Sequence, residues 1–138
     1  MFLEIKLGKK IIIDTNFLFV PSMFRLDIFE EMGNIFGQRI EPIILLPTYK
    51  ELKKLAESES PKMRKNASLG LELAKKCKIV EVDRRNMESN DDLIFRMAVE
   101  WKCPVATNDR ELRTRLRKAG VAVVFLRQKS RLAVEGGI

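Results

Sequence analysis

Apolar β-branched runs alternate along the chain with stretches whose apolar residues recur every three or four positions, and that alternation predicts a parallel sheet covered by helices. KKIIID (9–14) reads as a short continuous strand, with its three isoleucines buried on both faces. The spacing then predicts a helix over 24–32 that ends near Gly33, and makes PIILLP (42–47) a second buried strand closed by its proline. A helix follows from about Thr48 to Glu57. Ser60 as N-cap and Pro61 at the first helical position open another, which runs to about Lys76 ahead of strand KIVEVD (78–83). After the polar loop RRNMESN, Leu93, Met97 and Trp101 recur at four-residue spacing, with Ile94 and Ala98 widening the apolar face. This predicts a helix over 91–102 and then strand CPVAT (103–107). Leu112 and Leu116 predict a helix over 110–119, stopped at Gly120 and followed by strand VAVVFL (121–126). RQKSRLAVEGGI shows no clear periodicity. The expected organisation is one domain over 1–127 and a basic C-terminal tail over 128–138, without internal repeats.

Composition narrows the chemistry. A length of 138 residues suits a single core. The longest apolar runs fall short of the roughly 20 residues that a membrane span requires. MFLEIKLGKK mixes charges with apolar residues and lacks a small-residue cleavage site, so it does not read as a signal peptide and a cytoplasmic location is expected. There is no histidine, and Cys77 and Cys103 lack metal-ligand spacing. That removes the usual zinc sites and any Ser/His or Cys/His nucleophile pair. The cysteines read as small apolar fillers beside strands, and the chemistry is left to carboxylates, hydroxyls, amides and cations, with hard metal ions as helpers.

The net charge of +7 is localised: residues 110–138 hold eight Lys or Arg against two Glu, while residues 1–109 hold 18 against 17. A basic surface beside a neutral body fits a phosphate-rich partner, and a solvated C-terminal helix is the alternative. Arg110, Arg113 and Arg117 fall at spacings that share one side of the predicted helix, from which they could hold a nucleic-acid backbone.

Ligands of open parallel sheets bind beyond the carboxyl ends of the strands, and four acidic positions lie there. Asp14 ends the first strand, Glu51 lies in the expected first turn of the next helix, Asp91 and Asp92 open the helix after the third strand, and Asp109 follows the fourth. Each has a helix-capping alternative: Thr48 and Glu51 form a T-x-x-E capping box, Asn90 is an N-cap followed by two acids, and Asp109 is an N-cap. Gathered at one rim, these carboxylates would repel one another unless cations neutralised them, and Mg²⁺ or Mn²⁺ serve hydrolysis of a phosphodiester.

In this order and these strand contexts, IIIDTN, Glu51, NDDLI and VATNDREL resemble the motifs of PIN-domain nucleases over about residues 9–127. The resemblance implies a three-layer α/β/α sandwich with a central parallel sheet, and Mg²⁺- or Mn²⁺-dependent endonucleolytic cleavage of RNA. It places Asp14, Glu51, Asp91 and Asp109 at the metal-binding catalytic positions, with Asp92 as an auxiliary metal ligand. Asn16 and Thr107 fall at supporting polar positions behind these ligands, and Arg110, Arg113 and Lys129 are candidate RNA-backbone contacts. NDDLI, TNDRELRTRLRKAG and LRQKSR look most like the branch that processes ribosomal RNA, including its archaeal members. Family habit adds a homodimer, and a ribosome-assembly partner or an antitoxin. Two alternatives stay open: a toxin ribonuclease of a toxin–antitoxin pair, and a non-catalytic RNA-binding scaffold for ribosome assembly. A haloacid-dehalogenase phosphatase needs a second Asp where this chain has Asn16, and a receiver domain would order its acidic groups differently.

Overall fold

The computed structural model describes residues 8–136, apart from the side chains of Ser22 and Met23. The signal-peptide reading of MFLEIKL and the last two residues of the expected tail lie outside the described residues. The strands are β1 (Lys9–Ile13), β2 (Ile40–Leu45), β3 (Lys78–Val80), β4 (Val105–Ala106), β5 (Val123–Arg127) and β6 (Arg131–Glu135). They form one sheet in the order β3-β2-β1-β4-β5-β6, parallel throughout except for β6, which pairs antiparallel with β5. A 3-10 turn spans Thr15–Phe19, and the α-helices are α1 (Val20–Phe24), α2 (Ile28–Phe36), α3 (Leu46–Leu55), α4 (Pro61–Ala74), α5 (Asn90–Trp101) and α6 (Arg110–Lys118).

The alternation within β1 organises the layers. Ile11 and Ile13 pack on one face of the sheet with Phe17, Leu18, Ile28, Met32, Leu52 and Ala67. Ile12 points to the other face, with Leu93, Ile94, Met97, Leu112 and Leu116. All three isoleucines are fully buried, and each such side chain contributes about 1.5–3 kcal/mol of apolar burial. The expected α/β/α sandwich is therefore present, with β1 at its centre.

Three details differ from the sequence expectation. PIILLP is divided: β2 ends at Leu45 and α3 starts at Leu46, so Pro47 sits in the first helical turn, where its fixed φ is pre-organised and its missing N–H is no loss. The helix placed at 24–32 is two helices. Arg25 ends α1 in the left-handed region, and α2 runs from the Asp27 cap to Gly37 at φ 60, past Gly33. Residues 128–138, read as a tail, include β6, whose register Val124↔Val134 and Leu126↔Leu132 closes a hairpin on β5. Among the described residues no helix is long and apolar enough to cross a membrane.

For function, the parallel order matters most. The carboxyl ends of β1, β2, β3 and β4 open onto one rim, and the segment after each carries an acid.

Candidate active site

The β1 ladder runs one residue past the strand, because the Asp14 N–H donates to the Ala106 carbonyl at 3.0 Å. Asp14 is 7% exposed. One carboxylate oxygen accepts from the Thr15 N–H at 2.8 Å and the other from the Thr107 hydroxyl at 2.7 Å. The Thr107 oxygen also accepts from the Asp109 N–H at 3.1 Å, so one fully buried hydroxyl ties the ends of β1 and β4 together. Burial pushes the Asp14 carboxyl up to about 6; the Thr107 and Thr15 hydrogen bonds oppose this, and the charges of Asp91 and Glu51 add to it.

Glu51 lies in the second turn of α3, since the helix starts earlier than the sequence implied. The Thr48–Glu51 capping box is absent: α3 has no side-chain cap, and Thr48 is buried. Instead Glu51 accepts from the Thr15 hydroxyl at 2.8 Å and from the Asn90 amide at 3.1 Å, and the Asn90 carbonyl accepts from Arg84. Hydrogen bonds thus join the segments that follow β1, β2 and β3.

The two aspartates of NDDLI have different surroundings. Asp92 completes a capping box with Ser89, which is the N-cap in place of Asn90, and its other oxygen accepts from Arg115 at 2.9 Å. Those partners hold the Asp92 carboxyl below its ordinary range. The Asp91 carboxyl is raised, first by burial and then by the charges of Asp109 and Glu51. Asp109 caps α6 through one oxygen, which accepts from the Leu112 N–H at 3.0 Å. The charges of Glu51, Asp91 and Asp109 thus act on Asp14 or Asp91; Asp92 adds a smaller push on Asp91, but its own oxygens are turned toward its cap and Arg115.

Whether these residues suit a metal is a question of donor chemistry. Asp14, Glu51, Asp91 and Asp109 are all hard oxygen donors, and beyond the effect of burial the charges around Asp14 and Asp91 raise those two carboxyls, a repulsion that a divalent cation such as Mg²⁺ or Mn²⁺ relieves. Among the described residues no three such side chains, as they stand, lie close enough to ligate one ion, so the convergence is looser than the sequence suggested.

The cations divide as well. Arg110 and Lys129 are exposed, the latter in the β5–β6 turn. Arg113 is engaged inside the fold: its guanidinium lies 3.8 Å from the Phe125 ring centroid and donates to Glu135 at 3.2 Å. Arg117 reaches the Val121 carbonyl at 3.4 Å. The expected row of three exposed arginines is therefore reduced to Arg110, because Arg113 is drawn to Phe125 and Glu135 and Arg117 to the Val121 carbonyl. Asn16 accepts from the Asn108 N–H at 3.2 Å, and Asn108 accepts from the Leu126 N–H at 2.7 Å. Sequence reasoning missed Thr15, Asn90, Asn108 and Arg84 as parts of this network. Thr15 and Asn108 adjoin motif acids, and that adjacency was the available signal. The thiols of Cys77 and Cys103 are pushed up by burial, to about 12 and about 11, consistent with inert fillers.

The family model described as a PIN like domain matches residues 11–129. Ribonuclease VapC4 of Methanocaldococcus jannaschii is 28% identical over 127 residues, covering 92% of this chain and 97% of its own. Ribonuclease VapC9 of Archaeoglobus fulgidus is 26% identical over 124 residues, covering 90% and 87%. Among solved structures, that of the PIN domain endonuclease Utp24 superposes with a TM-score of 0.78 at 26% identity, covering 94% of this chain and 92% of that one.

Proposed function

The chain belongs to the PIN-like domain family, and on that premise we propose that it is a cytoplasmic endoribonuclease that hydrolyses RNA phosphodiester bonds with the help of Mg²⁺ or Mn²⁺. The observation that carries the proposal is the coupled acid set: Asp14, buried after the central strand, has its carboxyl pushed up to about 6 partly by Asp91 and Glu51, and Asp91 is raised in turn by Asp109. Capping accounts for one oxygen of Asp109 and, together with the Arg115 ion pair, for the hydrogen bonds of Asp92, but not for Glu51.

Asp14, Glu51, Asp91 and Asp109 would hold the cation. When bound, it supplies charge neutralisation and an activated water for attack on phosphorus. Thr107 and Thr15 fix the orientation of Asp14, and Thr15 with Asn90 fixes that of Glu51. Arg110 and Lys129 hold the RNA backbone, a contact that weakens with salt. The curated relatives named as ribonucleases support RNA as the substrate. The motifs NDDLI and TNDREL favour ribosomal RNA processing beside a ribosome-assembly partner over a toxin held by an antitoxin.

Cleavage of a generic single-stranded RNA with Mn²⁺, with and without chelator, in wild type and Asp14→Asn, tests the proposal. Chelator-sensitive cleavage by wild type alone is expected. Equal, chelator-resistant activity in both would refute it, and salt-sensitive binding without cleavage would favour a scaffold.

A further inference from the structure

A cleft of about 570 Å³ opens beside the acidic rim, lined among others by Asn16, Asn108, Phe19, Phe24, Arg110 and Lys129. Its position follows from the chain: Asn16 is two residues past Asp14 and Asn108 immediately precedes Asp109. The two carboxamides face it in a fixed sense. Each side-chain oxygen accepts from a backbone N–H, that of Asn16 from Asn108 and that of Asn108 from Leu126. A backbone N–H can only donate, so the oxygens are committed and the amides cannot be flipped without losing those bonds. The NH₂ groups of both residues have no hydrogen-bond partner among the described residues. Of the remaining polar side chains that line the cleft, Arg113 is taken up by Phe125 and Glu135, and Arg110 and Lys129 have only donors.

Every polar side-chain group left over in this cleft therefore donates, and aromatic rings supply its apolar wall. We propose that it seats an unpaired nucleotide carrying a keto base, uracil or guanine, next to the phosphate that is cut. The proposal rests on the endoribonuclease reading and adds a base preference to it. Phe19 and Phe24 offer rings against which any base can stack, so they give affinity without selection. The donors select. Uracil presents two carbonyl oxygens, and guanine presents O6 and N7 side by side. At the position of uracil O4 and guanine O6, cytosine and adenine carry an amino group instead, which meets another donor and stays unpaired, while guanine's own amino group lies on its other edge. The cations suit the adjoining phosphates.

The test is equilibrium binding of fluorescently labelled oligouridylate and oligocytidylate of equal length to the full chain, with chelator present so that binding is read apart from cleavage. The two pyrimidines match in size and charge, so their ratio reports the hydrogen-bonding edge. Wild type is expected to bind oligouridylate about tenfold more tightly, the preference of one or two well-placed hydrogen bonds. Asn108→Asp keeps the oxygen that accepts from Leu126 but replaces the donor with an acceptor, and should abolish or reverse the ratio. Phe24→Ala should weaken both ligands alike and leave the ratio intact. Equal binding of the two oligonucleotides by wild type would overturn the proposal and reduce the cleft to a phosphate site, as would an unchanged ratio in Asn108→Asp. Mn²⁺-dependent cleavage without base preference would refute the cleft and spare the nuclease; preference without cleavage would do the reverse.

Discussion

Replacing Asp14 with Asn should make the metal-free protein more stable at neutral pH. The Asp14 carboxyl is raised from 3.8 to about 6, mainly because the sheet and the loops around it bury it. The folded state therefore binds this proton more tightly than the unfolded state does. The contribution of Asp14 to wild-type stability falls as pH rises from 3.8 through about 6 and levels off beyond, when the group is ionised in both states. At ~1.4 kcal/mol per pH unit, the loss is about 3 kcal/mol. Asn does not ionise, so it escapes this loss. Its single oxygen cannot serve both the Thr15 N–H and the Thr107 hydroxyl as the carboxylate does, which costs about 1 kcal/mol. The net expectation is a gain of about 1–2 kcal/mol near pH 8 and a small loss near pH 4. Urea unfolding in chelator at both pH values measures it. A variant destabilised equally at both would refute the reasoning, because Asp14 would then carry no ionisation penalty. Saturating Mn²⁺ should reverse the order near neutral pH, since only the wild type gains the full binding energy.

Metal affinity should share that proton: Mn²⁺ binding followed by calorimetry should strengthen as pH rises through about 6 and flatten above it, and an affinity that ignores pH would contradict a role for Asp14. Thr15→Val removes the hydroxyl that holds Glu51 while sparing the Thr15 N–H bond to Asp14; a fall in cleavage of about tenfold is expected, corresponding to about 1.4 kcal/mol, and unchanged activity would show that Glu51 needs no anchor. Arg113→Met should cost about 1–2 kcal/mol in urea unfolding, because the guanidinium stacks on Phe125 and bonds Glu135. A selective loss of RNA binding at unchanged stability would return Arg113 to the substrate surface.

Local patterns that report on burial were legible in the sequence. Three consecutive isoleucines before Asp14 identified the central strand, and the apolar spacing of Leu112 and Leu116 located α6. The acids could be found because a parallel sheet sends every strand end to one rim. Pro47 misled because a proline can close a strand or open a helix, and that ambiguity put Glu51 one turn too early and suggested a cap that does not form. Asp91 and Asp92 could not be told apart from composition, since the choice depends on Ser89 as N-cap and on Arg115, 23 positions away. β6 escaped notice because its register is set by β5 across a turn with Gln128 and Lys129 at positive φ, a conformation no glycine announces. Arg113 looked like a free cation because its partners, Phe125 and Glu135, become its neighbours only when β5 and β6 pair in the sheet.

The central claim is that four particular carboxylates, and not the fifth beside them, perform metal-dependent RNA cleavage. Single-turnover cleavage with Mn²⁺ should be measured for Asp14→Asn, Glu51→Gln, Asp91→Asn, Asp109→Asn and Asp92→Asn. The first four should each lose about a hundredfold or more, equivalent to about 2.7 kcal/mol of transition-state stabilisation. Asp92→Asn should stay within a few-fold of wild type, since its carboxylate serves the α5 cap and Arg115. Wild-type rates in all of the first four, or a loss at Asp92 as deep as at Asp91, would contradict the account.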